Sequence, residues 1–190
     1  MTSTTDPSAA APPAAPAASP QSVPARDSLQ SARPAQDLSG LHDFDYMVGR
    51  WHVRHQRTDP GRQDWKEFNG TSSTRTTMGG AGNVEDNVIE LPSGTIRAMA
   101  VRAYDRETGL WAIWWIDGRR PHGKLDPPVK GRFENGIGRF HADDTIDGKP
   151  VRVRFTWTYA APDRARWEQA FSSDAGQTWE TNWIMEFTRT

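Results

Sequence analysis

The sequence predicts an all-β domain that forms a single antiparallel barrel of about 8–10 strands. Apolar and polar residues alternate with a period of two, most clearly over residues 151–159 and 179–187, and this pattern puts every second side chain on one sheet face. Tight-turn dipeptides such as Asn135-Gly136 and Asp147-Gly148 separate the alternating segments. The sequence contains no convincing long helix. Closure is favoured because it removes the exposed edges of the sheet.

The chain is predicted to have two parts. Residues 1–36 consist mostly of Ala, Pro and Ser, and they contain seven of the 14 prolines. Such a segment cannot bury enough apolar surface to offset its ordering entropy, so a disordered Ala/Pro-rich tail is predicted. Residues 37–190 have the size of one domain and are predicted to form the barrel. The barrel begins with a short capping helix or turn at residues 39–46, with Ser39 as its N-cap.

About ten strands follow the capping segment, and most of them end at a turn signal. Turns are predicted at Pro92-Ser93-Gly94, at residues 105–109 and at Pro162-Asp163. The longest connection, residues 117–128, contains three prolines. The strands are predicted at residues 48–56, 64–76, 84–91, 95–104, 110–116, 129–134, 138–144, 151–159, 166–172 and 178–188.

The ring-rich sheet face predicts an aromatic-lined cavity, which is the usual form of a small-molecule site. Parity leaves open whether Trp114 or the pair Trp111 and Trp115 faces inward. Asn182 falls on the opposite parity from Thr181 and is predicted to face solvent, as are Glu168 and Glu180. The candidate ligand-binding residues are His55, Arg102, Tyr104, Trp114, Trp157, Trp167, Gln169, Thr181 and Trp183.

Two ionisable residues stand out on the predicted inner face. His55 continues the face of Trp51, and it is the candidate general base if the protein is an enzyme. The alternative is a core histidine that is bonded to a polar neighbour. Arg102 follows two small alanines on its strand face and suits pairing with a ligand anion, or else a salt bridge at the rim.

Composition limits the partners that the protein can have. The 23 basic and 24 acidic residues give a net charge of −1. This balance argues against nucleic-acid binding, which needs a clustered basic surface. His141 and Asp143 share a strand face, but two ligands are too few for a metal site, so no metal and no cofactor are expected. The chain has no cysteine, no signal-peptide pattern and no apolar run of membrane-spanning length. The expected location is the cytoplasm, without membrane binding, and an oligomer is compatible with the sequence.

Two short motifs have structural meanings. Gly49-Arg50-Trp51 resembles the Gly-x-Trp signature of lipocalins and related calycin barrels, in which the Trp plugs one end. Residues 172–179 look like an Asp-box hairpin, which is a structural turn. Over most of residues 40–190 the chain resembles a bacterial family of small calycin-like, lipocalin- or nitrobindin-like barrels without a settled activity. The segments that carry this resemblance are residues 44–51, 82–87, 125–128 and 166–183.

The resemblance implies the barrel fold and no catalytic residue. Haem is not expected, because His52-Val53-Arg54 replaces the extended glycine pattern of nitrobindin-type barrels. Three functions are weighed: binding of a small apolar or aromatic ligand, a cofactor-independent lyase, isomerase or cyclase in the same cavity, and a solidly packed structural or interaction module. A cavity below about 100 Å³ would exclude the first two, since small-molecule sites are several times larger.

Overall fold

The computed structural model describes residues 35–123, 125–146 and 148–190. In these ranges, ten antiparallel strands follow one another around a closed barrel, and β1 pairs with both β2 and β10. The predicted all-β antiparallel barrel is confirmed. The strands are β1 Gly49–Arg57, β2 Lys66–Thr77, β3 Gly82–Leu91, β4 Gly94–Asp105, β5 Leu110–Asp117, β6 Val129–Glu134, β7 Ile137–Ile146, β8 Lys149–Ala161, β9 Arg164–Ser172 and β10 Glu180–Arg189. The disordered tail predicted for residues 1–36 lies outside the described residues, except for residues 35 and 36.

The register of β1 determines which of its side chains face the inside of the barrel. Val53 lies opposite Gly70 of β2 and Phe187 of β10. Trp51, Val53 and His55 are buried, whereas the residues that alternate with them are exposed or half-buried. Because directly opposed residues share a sheet face, a slip of one residue would turn this apolar set to solvent. The alternation that predicts the strands therefore also fixes their pairing.

The predicted capping helix or turn is mostly a series of turns. The structure has a 3₁₀-helix only at Asp45–Met47, preceded by turns whose amides each bond a carbonyl three residues back. Ser39 does not cap this helix, because its amide and hydroxyl both donate to Asp37 Oδ1, at 2.9 and 2.7 Å. In the part of the chain that the structure describes, no helix is long and apolar enough to cross a bilayer.

Trp51 closes one end of the barrel, as the Gly-x-Trp resemblance implies. Its indole is fully buried, and its Nε1 donates to the Met47 carbonyl oxygen at 2.9 Å. The Arg189 guanidinium carbon lies 4.1 Å from the centroid of the Trp51 ring, and the same guanidinium donates to the carbonyls of Tyr46 and Val48. One arginine of the last strand thus joins the capping segment to the tryptophan plug.

The Asp-box hairpin forms as predicted and joins β9 to β10. Asp174 accepts hydrogen bonds from the Thr178 amide and hydroxyl and from the Ser172 hydroxyl. Hydrogen bonds from Thr178, more than any other interaction, hold the pKa of Asp174 well below its ordinary value. Gly176 adopts a φ of +95°, and Trp179 Nε1 donates to the Gly176 carbonyl at 3.0 Å. These contacts give the motif a structural role.

Candidate functional site

A cavity of about 240 Å³ lies inside the barrel, towards the end opposite the tryptophan plug. At about 30 Å³ per molecule, this volume equals roughly eight waters. The interior is therefore not packed solid, and the volume exceeds the limit of about 100 Å³ set above for a small-molecule site. The apolar side chains that line it are Ala100, Ile113, Trp115, Pro127, Val129, Ala142, Val153, Phe155, Trp157, Trp167, Phe171, Trp183 and Met185.

Aromatic rings that pack edge to face form one part of the cavity wall. Trp183 meets Trp115 and Trp167 edge to face, with ring centroids 6.2 and 5.5 Å apart. Phe155 meets Trp167 in the same way at 4.9 Å. Such edge-to-face pairs are stabilising beyond the area that they bury, so the rings are held in place before a ligand arrives. Trp157, Trp167 and Trp183 occupy the wall, where the sequence predicts them.

A buried ion pair forms the polar side of the cavity. Arg102 on β4 is 1 % exposed and Glu85 on β3 is 2 % exposed, and the Arg102 Nη2 donates to the Glu85 carboxylate. Arg102 Nη1 donates to Asn83 Oδ1 at 2.9 Å, and the Ser72 hydroxyl donates to Glu85 at 2.7 Å. Arg102 is therefore an inner residue, and the rim salt bridge considered from the sequence is wrong.

Arg102 is also held between two aromatic rings. Its guanidinium carbon lies 4.9 Å from the ring centroid of Phe44 and 5.0 Å from that of Trp157. These cation–π contacts leave the guanidinium little freedom to move. Among the described residues, neither Arg102 Nε nor Trp157 Nε1 finds a hydrogen-bond partner, although both atoms are buried. Both residues line the cavity.

His55 lies in the core and does not line the cavity. Its Nδ1 accepts a hydrogen bond from Trp183 Nε1 at 3.2 Å, and its ring stacks on Phe68 with centroids 4.9 Å apart. Burial, with a smaller contribution from the positive charge of Arg57, lowers the pKa of His55 to about 4. The geometry fits the alternative weighed from the sequence, a neutral core histidine that is bonded to a polar neighbour.

We expect the titration of His55 to destabilise the fold in mild acid. The folded-state pKa of about 4 lies below the ordinary value of 6.5, so the unfolded chain binds the extra proton between these values. The contribution of His55 to the free energy of unfolding should be constant above about pH 6.5 and fall by up to roughly 3 kcal/mol as the pH approaches 4. Urea unfolding at several pH values measures this.

The matched variants for that titration are His55→Gln and His52→Gln. His55→Gln keeps an acceptor for Trp183 and removes the titration, so most of the pH dependence in this window should disappear. His52 is exposed on the outer face of the same strand, so His52→Gln is the control for making the same substitution outside the core. An unaltered profile in His55→Gln would show that other groups cause the acid sensitivity.

The predicted place of Trp114 among the ligand-binding residues is wrong, because Trp114 lies on the outer face of the fifth strand. Trp111 and Trp115 face inward, whereas Trp114 lies opposite Val101 on the outer face. Sequence parity could not decide this, because β5 is apolar on both faces. The deciding interaction is the register with β4, whose inner face carries Arg102.

Thr181 and Asn182 exchange their predicted positions. A bulge interrupts the pairing of β9 with β10 between Thr181 and Trp183. The extra residue shifts the alternation, so Asn182 is buried, and Thr181 is half-buried and outside the cavity lining. Asn182 Oδ1 accepts a hydrogen bond from Gln169 Nε2 at 3.2 Å. Gln169 does line the cavity, as the sequence predicts.

Tyr104 is buried at the capped end and does not contribute to the cavity wall. Its hydroxyl accepts a hydrogen bond from the Gly40 amide at 3.2 Å, and its ring packs against Trp111 with centroids 5.3 Å apart. The Trp111 indole in turn donates to the Gly40 carbonyl at 2.8 Å. Tyr104 therefore holds the capping segment on the barrel, and its predicted place in the ligand site is wrong.

Carboxylates line the outer part of the cavity. Asp143 and Asp144 come from β7, and Asp126 comes from the proline-containing connection before β6. Asp143 also pairs with Arg152, whose Nε lies 3.3 Å from its carboxylate oxygen. Among the described residues that line the cavity, Arg102 is the one that carries a positive charge. The described ranges contain no cluster of three or more His, Asp or Glu side chains arranged to hold a metal ion.

Comparison with known proteins supports the fold and does not supply a function. No family model matches the chain, and no curated protein matches it. The solved structure of Rv2717c from M. tuberculosis is similar with a TM-score of 0.54 and 11 % identity, covering 80 % of this chain and 97 % of that one. The S-type phycobiliprotein lyase CPES from Guillardia theta is similar with a TM-score of 0.53 and 12 % identity, covering 77 % and 90 %. The ten-stranded barrel and these neighbours fit a calycin-like fold.

Proposed function

We propose that the protein binds a small apolar or aromatic molecule inside the barrel. The observation that carries this proposal is the cavity of about 240 Å³ within a wall of interlocked indole rings. Apolar pockets with a few placed polar groups are the usual form of small-molecule sites. The polar groups here are Arg102, Glu85 and Gln169, together with the carboxylates of Asp126, Asp143 and Asp144 at the outer part.

The size of the cavity limits the affinity that burial alone can provide. A ligand that buries about 200 Å² of apolar surface gains about 5 kcal/mol at 25 cal/mol per Å². If this were the whole binding free energy, the dissociation constant would be about 0.2 mM. Hydrogen bonds at the polar side strengthen binding, and lost freedom of motion weakens it. Fragment-sized probes at high micromolar concentrations are therefore suitable for testing the site.

Catalysis in the same cavity is the weaker proposal. It needs an acid–base group within hydrogen-bonding reach of the substrate. His55 does not line the cavity, and Arg102 and Glu85 are already engaged with each other and with Asn83 and Ser72. The remaining carboxylates, Asp126, Asp143 and Asp144, lie at the outer part of the cavity, away from the tryptophan wall. That one structural neighbour is named a lyase does not change this, because the likeness shows the fold alone. Membership of the bacterial family, and a cytoplasmic location, are proposals that rest on the sequence.

Native mass spectrometry of the protein purified from its own host tests the proposed function. We expect a species heavier than the bare chain by the mass of a small organic molecule, which denaturation releases. The released compound should bind again to ligand-free protein with one-to-one stoichiometry. A bare chain alone, together with no saturable binding of aromatic probes such as ethylbenzene and acetophenone at millimolar concentration, would contradict the proposal.

A further inference from the structure

We infer that the ligand is a neutral aromatic compound whose inner end carries a hydrogen-bond acceptor, such as a carbonyl oxygen. This inference rests on the proposed function, since it describes the chemistry of a ligand in the same cavity. It also replaces the expectation that Arg102 pairs with a ligand anion. It rests on three observations. Among the described residues, two buried N–H donors have no partner, the positive charge of Arg102 is neutralised by Glu85, and carboxylates line the outer part of the cavity.

The unpaired donors belong to Arg102 and Trp157. Arg102 Nε and Trp157 Nε1 are buried N–H groups without a partner in the described part of the chain. The guanidinium carbon of Arg102 lies 5.0 Å from the Trp157 ring centroid, so the two side chains occupy one region of the wall. A buried donor without an acceptor is costly, and native structures rarely leave such donors unpaired. Because both residues line the cavity, we infer that an oxygen at the inner end of a ligand accepts from one or both of them.

The charge balance favours a neutral acceptor over an anion. The positive charge of Arg102 is already matched by Glu85, and both groups are buried. A ligand carboxylate would therefore add an unmatched negative charge beside Glu85 in a medium of low dielectric constant. It would also have to pass Asp126 and Asp144 at the outer part of the cavity.

A cationic group does not suit the inner end either. The unpaired groups there are N–H donors, and a ligand ammonium also has only donors to offer. The aromatic rings of Trp115, Trp167 and Trp183 complete the wall and favour a flat apolar body. The surroundings thus match a flat, uncharged molecule with one oxygen acceptor directed at Arg102 and Trp157.

Three probes of similar size distinguish these possibilities. Ethylbenzene has no acceptor, acetophenone has a carbonyl oxygen at a similar position, and benzoate has a carboxylate. A purely apolar cavity favours ethylbenzene, because it is the most poorly hydrated of the three. We expect the reverse order, with acetophenone binding about tenfold more tightly than ethylbenzene. Benzoate should bind at least about tenfold more weakly than acetophenone. Isothermal titration calorimetry measures all three.

The variant Trp157→Phe removes one of the two donors and keeps an aromatic ring. The ratio of ethylbenzene to acetophenone dissociation constants should fall severalfold in this variant. The matched control is Trp114→Phe on the outer face, which should leave the ratio unchanged. The wild-type series decides the inference by itself, so an unstable Trp157→Phe variant does not obscure the result.

Each outcome has a separate meaning. If ethylbenzene binds as tightly as acetophenone or more so, the inference about the acceptor is wrong, and the proposed binding function stands. If benzoate binds as tightly as acetophenone, the inference about neutrality is wrong. If none of the three probes binds at millimolar concentration, the inference is contradicted, and a bare chain from the protein's own host then contradicts the proposed function as well.

Discussion

Replacing Arg102 with Met should lower the free energy of unfolding by about 3–5 kcal/mol, the range found when one partner of a buried ion pair is removed. The substitution keeps an unbranched side chain between Phe44 and Trp157 but removes the charge that balances Glu85. The Glu85 carboxylate then keeps only the Ser72 hydroxyl as a described side-chain partner. Urea unfolding followed by tryptophan fluorescence measures the loss.

The double variant Arg102→Met with Glu85→Gln separates the charge effect from the loss of packing. The amide introduced by the second substitution keeps an acceptor for Ser72 and carries no charge, so most of the lost stability should return. Arg54→Met is the control, because Arg54 pairs with Glu67 on the exposed outer face, where solvent screens the pair and its loss should change the stability little. A double variant no more stable than the single one would mean that the buried charge is not the cause.

Replacing Trp51 with Ala should remove about 3–5 kcal/mol of stability, as for other large buried aromatic side chains. The indole is fully buried, donates to the Met47 carbonyl and packs edge to face on Phe187 with centroids 6.2 Å apart. Its loss also leaves the Arg189 guanidinium without the ring that it covers. For a domain of this size, the melting temperature should fall by about 10 °C or more.

The control for Trp51 is Trp114→Ala, which removes an indole from the outer face of β5. Trp114 is only half-buried, so its replacement should cost clearly less than that of Trp51. Calorimetric melting of both variants gives the comparison. Equal losses of stability in the two variants would contradict the role of Trp51 as the plug of the capped end. They would indicate that an indole stabilises this barrel by the same amount wherever it lies.

The strands could be predicted from the sequence because burial on one face decides them. Alternation marks all ten strands to within a few residues, and in β8 it correctly places Val153, Phe155 and Trp157 on the inner face. Alternation cannot assign the inner face of a strand when both of its faces are apolar. Both faces of β5 are apolar, so the position of Trp114 depends on pairing with β4.

The polar side of the site could not be predicted because it depends on contacts between strands. Residues 83–89 alternate polar Asn83, Glu85 and Asn87 with residues that include Val84 and Val88, and the usual rule would turn the valines inward. The register places Asn83 opposite Arg102, whose charge makes the polar face the inner one. A bulge in β10 likewise brings Asn182 inside, and regular alternation cannot show a bulge.

The central claim is that the interior of the barrel is a binding cavity, and one pair of variants tests it directly. Ala100 lines the cavity, and Ala103 lies on the outer face of the same strand. Ala100→Phe fills the space that a ligand would occupy, whereas Ala103→Phe adds the same ring outside. Overpacking at a core position typically costs about 1–3 kcal/mol of stability, so both variants should fold.

The measurement is the dissociation constant of acetophenone for the wild type and for both folded variants, by calorimetric titration. We expect saturable one-to-one binding to the wild type and to Ala103→Phe, with affinities within about twofold of each other. We expect Ala100→Phe to bind at least about 100-fold more weakly, a difference of about 2.7 kcal/mol in binding free energy. Unchanged affinity in Ala100→Phe would place the ligand outside the barrel and contradict the claim.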